Sequence, residues 1–271
     1  MNNDDLKDIQ EDIEEISDAL TTGQRFRNWV LTGAAIMIGF GQWNDTRELA
    51  VSMYEDAVSA FTHTVEYNAL QRVDVGVTRE YLESTVGKPK VVKSSQLDPS
   101  IQFEYIFNDK YLLTTIFRGD RLIGYTVICV EPGFTPQLPF SVQQNINQFV
   151  LNDMELPTPE SFSQDNQNIT FYIENHTLGL QGLFLKRSIG MVSFSNEGDE
   201  TLVTKLHELA DAKMFGEEEL IVDIIAEVRQ GLIPNFYAIS NIKSSADKAN
   251  VSEAELITES LLTKFEYFKF K

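Results

Sequence analysis

Cysteine is almost absent from this 271-residue chain. The one copy, Cys129, cannot close an internal disulfide, so the fold must rest on its hydrophobic core. It lies in the β-prone run Tyr125–Val130 and reads as a small buried apolar side chain rather than a nucleophile or ligand. Histidine is nearly as scarce. His63, His176 and His207 are far apart, and no two have the spacing of metal ligands. His207-Glu208 begins like a zinc-protease helix but lacks the second histidine four residues on. There is no Gly-x-Ser-x-Gly elbow, phosphate-binding loop or dinucleotide fingerprint. On these grounds no catalytic, cofactor-binding or metal-binding residue is assigned and no cofactor is expected. The reading leans away from an enzyme.

Positive charge is also in deficit. Acids outnumber bases 41 to 22, for a formal charge of −19. Such a surface repels phosphate backbones and anionic headgroups, which excludes nucleic acid and peripheral attachment to anionic lipid as partners. Long apolar runs are missing too. The charge-free stretch between Arg27 and Asp45 offers about 15 apolar residues, roughly 22 Å of helix against a hydrocarbon core of about 30 Å.

What is present begins with a heptad seam. Leu6, Ile9, Ile13, Ile16 and Leu20 are spaced 3, 4, 3, 4 and separated by polar residues except Ala19. This predicts an acidic amphipathic helix over residues 1–24 that pairs with its own copies, Gly23 ending the pattern. The next segment, 25–44, carries Arg25 and Arg27 at its start and Trp29 and Trp43 around the apolar stretch. Interfacial tryptophans and snorkelling arginines favour a short membrane anchor over a buried hairpin helix. Ala35 and Gly39 form a small-xxx-small pair suited to close helix packing, a second homo-oligomer contact. Two arginines before the stretch against Arg47 after it place the N-terminus in the cytoplasm of a single-pass inner-membrane protein.

Beyond the anchor, apolar residues at helical spacing predict a helix over about 47–67. Thr78 caps a short helix that stops at Gly87-Lys88-Pro89. Ile101–Phe107, Tyr111–Phe117 and Arg121–Val130 alternate with turn residues and predict an antiparallel meander. These residues, "VGVTREYLESTVGKP" followed by "YIF…LLTTIFRGDRLIGYTV", resemble the small helix-plus-sheet domain of outer-membrane assembly lipoproteins of the SmpA/BamE type. The resemblance covers about 60 residues and implies a non-enzymatic protein–protein adaptor of the bacterial envelope. The chain departs from that pattern in lacking an N-terminal lipidation cysteine and in continuing well past the module. As a whole it is similar to bacterial membrane-anchored proteins of unknown function.

Three prolines make 131–139 a connector. A short helix is expected at Val142–Leu151, a polar loop at Glu155–Gln167, and strands at Ile169–Glu174, Leu180–Leu185 and Ile189–Phe194. Acidic helices near Glu200–Lys213 and Glu217–Gln230, a strand at Phe236–Ile242 and a helix at Glu253–Thr263 complete a second unit. The expected fold class is α+β: an N-terminal helix (1–24), a short transmembrane helix (25–44), and one or two antiparallel-sheet units over 45–130 and 131–271. The expected function is a membrane-anchored, self-associating interaction or assembly protein with a protein partner. The alternatives are a membrane effector in stress or phage defence acting by clustering of its apolar helix, and an enzyme or ligand sensor housed in 131–271.

Overall fold

The computed structural model describes residues 63–141, 144–154, 161–165, 168–180, 182–194, 200–242 and 251–271. The chain divides into two compact units, Met1–Val65 and Glu66–Lys271, and the sheet belongs to the second.

The elements follow from local chemistry. Helix α1 covers Thr64–Gln71, and α2 covers Arg79–Val86. The α2 N-cap is Thr78, whose hydroxyl accepts from the Tyr81 N–H. Gly87 ends α2 at φ 90°, a conformation that needs glycine, and Pro89 prevents resumption. Strands β1 (Val91–Ser94), β2 (Ile101–Phe107), β3 (Tyr111–Arg118) and β4 (Arg121–Cys129) form the meander. Asn108 turns the first hairpin by accepting from the Lys110 N–H at 2.9 Å, and Gly119 at φ 61° turns the second.

Strands β5 (Ser161–Asp165), β6 (Thr170–Thr177) and β7 (Lys186–Ser193) form a second meander. Helices α3 (Glu200–Phe215) and α4 (Glu218–Gly231) precede β8 (Phe236–Ser240), and α5 (Glu253–Glu259) and α6 (Lys264–Phe270) end the chain. All pairings are antiparallel, in the order β1-β2-β3-β4-β8-β7-β6-β5. One sheet face is covered by α1–α4 and the 134–154 segment, through Leu82, Phe134, Leu206, Leu209, Ile224 and Val228. The other is covered by α5 and α6 through Leu256, Ile257, Leu261, Leu262 and Tyr267. The Tyr267 ring stacks on Phe194 at 3.9 Å between centroids. With both faces covered, every residue of β8 is buried.

Of the one or two sheet units expected, the structure has one, an eight-stranded sheet in which β8 hydrogen-bonds β4 on one side and β7 on the other. Left separate, each meander would bury a row of unpaired backbone groups at that edge. The expected fold class is corrected in its transmembrane helix. No helix among the described residues is long and apolar enough to cross a membrane. The longest, α3, has 16 residues and turns one apolar face to the sheet. A transmembrane, single-pass inner-membrane protein with a cytoplasmic N-terminus is therefore not supported. Trp29, Trp43, Arg25, Arg27, Ala35, Gly39 and the seam Leu6, Ile9, Ile13, Ile16 and Leu20 lie outside the described residues.

Smaller differences have local causes. The helix expected over 47–67 does not run through His63, whose φ of 53° breaks the helical ladder; α1 begins one residue later. No α-helix occupies the described part of Val142–Leu151, and Leu151 opens a 3-10 turn that runs to Asp153. Several N–H groups bond outside the segment, Ile146 to the Pro136 carbonyl, Asn147 to that of Pro234 and Leu151 to that of Leu232. No strand occupies the described part of Leu180–Leu185, where Leu183 and Phe184 adopt φ 56° and 58°. The helix expected over Glu253–Thr263 stops at Glu259, and a further helix, α6, follows it, started by the Thr263 capping box.

Candidate functional site

Cross-strand register decides which side chains meet. On the α1–α4 face, Glu104, Thr115, Tyr125, Ile239, Arg187 and His176 are direct partners from β2 through β3, β4, β8 and β7 to β6. The adjacent row runs Ile106, Leu113, Val127, Tyr237, Ile189 and Glu174. Five of the six residues in the first row are polar, and all six are buried. Interior rows of this kind need partners for every polar atom, since an unmet one costs about 1–3 kcal/mol.

At the β2 end the account closes. Arg79, projecting from α2, pairs with Glu104, donates to Gln102 Oε1 at 3.2 Å and covers the Phe117 ring at 4.5 Å. This is a structural clamp. The β6 end differs. Glu174, fully buried, accepts from the Tyr172 hydroxyl at 2.8 Å. The same carboxylate lies 3.5 Å from Arg229 Nε of α4 and 3.3 Å from His176 Nε2. Burial first, then the neighbouring Glu174, drives the Tyr172 hydroxyl's pKa far above its ordinary value. Neither His176 nitrogen makes a hydrogen bond of good geometry among the described residues, nor does Glu174 Oε2, Arg229 Nε or Arg187 Nε.

A cavity of about 450 Å³ opens on the same face, within the roughly 300–1,000 Å³ range of small-molecule sites. Tyr125 and Tyr237 form part of its lining, with rings in T-shaped contact at 6.3 Å. Their hydroxyls have no protein hydrogen-bond partner among the described residues. Burial raises both hydroxyl pKa values, with Asp74 adding to the effect on Tyr125, so each stays a neutral donor. The connector forms the opposite wall. Phe134 stacks between Tyr67 at 5.0 Å and Tyr111 at 5.4 Å, and the Tyr67 hydroxyl accepts from the Thr135 N–H at 3.1 Å. Leu138 and Ile146, both fully buried, anchor this wall in the core. Phe140 stands half exposed on the lining at φ 58°, a conformation costing about 1–3 kcal/mol. Gln71, Gln137, Asn145 and Asp74 add polar groups.

The structure does not gather the sequence-assigned candidates into a site. Cys129 is buried, and desolvation pushes its thiol far above the ordinary range, which fits an apolar filler. His207 is exposed on α3, and Glu208 beside it pairs with Lys205 at 2.9 Å. No cluster of metal-ligating side chains exists among the described residues. Sequence spacing alone does not mark the Glu174–His176 pair, because Arg187 of β7, opposite His176, and Arg229 of α4, beside Glu174, are remote along the chain. A signal was there: Tyr172-x-Glu174-x-His176 alternates with Phe171-x-Ile173, a strand whose polar side chains share a face that cannot be solvent if the apolar side chains of Tyr172 and its neighbours are to be buried. The lining of the cavity, drawn from four separate segments, had none. No family model, curated protein or solved structure matches this chain, so the SmpA/BamE-type resemblance rests on the residues that carry it.

Proposed function

We propose that the Glu66–Lys271 unit is a small-molecule-binding domain. It holds a partly aromatic ligand with hydrogen-bonding groups in the cavity between the sheet and the 134–145 wall. The observation that carries this reading is the pair of tyrosine hydroxyls, Tyr125 and Tyr237, lining a cavity of about 450 Å³ without protein partners. Aromatic rings supply contact area at low entropic cost, and the hydroxyls and amides supply orientation. The support is for binding; the row offers no nucleophile paired with a base, so no reaction is assigned.

The test is titration of the full chain with N-phenyl-1-naphthylamine, an uncharged probe whose fluorescence rises in apolar sites. Saturable binding is expected, and Gln71→Trp should weaken it about tenfold by filling the cavity mouth from an exposed position on α1. No saturable binding, or binding indifferent to Gln71→Trp, overturns the reading. The second outcome would place the probe on another apolar surface, such as the exposed Phe265 and Phe268.

A second reading, self-association through Leu6, Ile9, Ile13, Ile16 and Leu20, rests on their heptad spacing. Sedimentation velocity of the full chain should show an oligomer that Ile13→Asp dissociates. A monomeric wild-type chain would eliminate it.

A further inference from the structure

We propose that the ligand of this cavity is an organic anion and that the Arg187 guanidinium receives its acidic group. This rests on the cavity reading above and adds the ligand's charge class to it.

The argument begins with placement. Arg187 lies on β7 directly opposite Ile239 of β8, which is opposite Tyr125 of β4. These residues share a sheet face, and neighbouring strands are about 5 Å apart, so an arginine side chain can reach the cavity from there. It does approach the wall. Nη1 donates to the carbonyl oxygen of Pro139, a cavity-lining residue, at 3.4 Å. Among the described residues that long contact is the one side-chain hydrogen bond Arg187 makes, although a guanidinium carries five N–H donors, and its buried Nε has no partner there.

The charge count around it does not close. The fully buried Glu174 faces the other guanidinium, that of Arg229, while Arg187 stands opposite His176. Glu174 already faces Arg229 at 3.5 Å, the Tyr172 hydroxyl at 2.8 Å and His176 at 3.3 Å. No carboxylate lies within ion-pair distance of Arg187 among the described residues, and Arg187 is 6% exposed. A buried cation without a partner is costly, by several kcal/mol. Burial alone depresses its pKa, with no opposing acid contributing, yet an arginine stays charged in proteins. Acidic residues are abundant in this chain, 41 against 22 basic ones, and still none among the described residues serves Arg187. Arg79, half-buried on the same face, has its Glu104.

A ligand oxyanion offers what Pro139 cannot, two acceptor oxygens matched to the guanidinium fork. Asp74 also lines the cavity and opposes an anion, but it is solvent-exposed and screened, whereas Arg187 acts through the low-dielectric interior. The resulting site has an apolar, aromatic body, two hydroxyl donors and one fixed positive charge. Small aromatic or aliphatic acids fit that description.

The experiment compares two probes with nearly the same ring system, 8-anilinonaphthalene-1-sulfonate and the uncharged N-phenyl-1-naphthylamine, on the full chain. The sulfonate is expected to bind at least tenfold more tightly than the uncharged probe. Arg187→Gln should remove that preference while leaving the uncharged probe within twofold of its wild-type dissociation constant. Equal affinity of the two probes for the wild-type chain overturns the inference by itself, before any variant is made. A preference that survives Arg187→Gln overturns it too. Should that variant fail to fold, Arg187→Lys takes its place, and a sulfonate preference unchanged there would count against the guanidinium. Failure of both probes to bind the wild-type cavity would instead remove the binding-domain reading on which this one stands.

Discussion

At the scale of single residues, close approach decides more than charge does. Gly190 of β7 sits opposite Ile173 of β6, and a Cβ built there would lie 1.9 Å from the Tyr172 carbonyl oxygen. That neighbour is backbone and cannot rotate away, so the adjacent strands would have to part. Gly190→Ala should therefore destabilise the fold by about 2–3 kcal/mol, in the range of overpacked cores, read as a lowered urea midpoint. A midpoint unchanged from wild type would mean the two strands can separate freely there. Nothing about Gly190 in the sequence marks it, since a glycine inside a β-prone run also fits a bulge or a bend. The same limit applies to Arg187, which reads as an ordinary surface cation until β6 and β8 are laid on either side of it.

At the scale of elements, caps and turns are where sequence and structure agree best. Thr78, Ser252 and Thr263 each cap a helix, the last two through full capping boxes with Glu255 and Glu266. Glu266 also fastens α6 to the sheet through Lys93 at 2.7 Å. Partial burial works to raise its carboxyl pKa, but Lys93 and the Thr263 cap outweigh it and hold the net value below the ordinary 4.5. A carboxylate depressed in the folded state contributes stability above its unfolded pKa and loses it as pH falls through the folded value. The docking of α6 should thus be undiminished near neutral pH and weaken below about pH 4.5. Glu266→Gln should lower stability at pH 7 and flatten the acid limb of the melting-temperature profile. An unaltered acid limb would assign that pH dependence to other groups. The elements the sequence does not mark are those lacking periodic partners of their own: β1 and β5 are short edge strands, and in 144–151 Ile146, Asn147 and Leu151 bond to Pro136, Pro234 and Leu232 instead of building an α-helix.

At the scale of the whole molecule, the sheet is a single cooperative object with a helical layer on each face. Leu262 is fully buried in the layer that α5 and α6 form, far in sequence from the β2–β4 meander it covers. Leu262→Ala should cost about 2–5 kcal/mol. Amide hydrogen exchange should then accelerate together in β3, β4, β8 and β7, because their ladder is continuous. Acceleration limited to one meander would show two independent halves.

The division between sequence and tertiary structure follows from this. The sequence by itself determined the local features: the Thr78 cap and Gly87 stop of α2, the hairpins at Asn108 and Gly119, the acidic helices, and the absence of catalytic motifs. Each depends on residues within a few positions of one another, where propensity and hydrogen-bonding reach suffice. Only the tertiary structure decided that β8 joins two meanders into one sheet, that a proline-rich connector becomes a cavity wall, and that Arg187 is buried beside it without a carboxylate. Those outcomes depend on strand register and on partners some 50 to 110 positions away, as when Tyr125 meets Ile239 and Ile239 meets Arg187, and local pattern does not encode such distances.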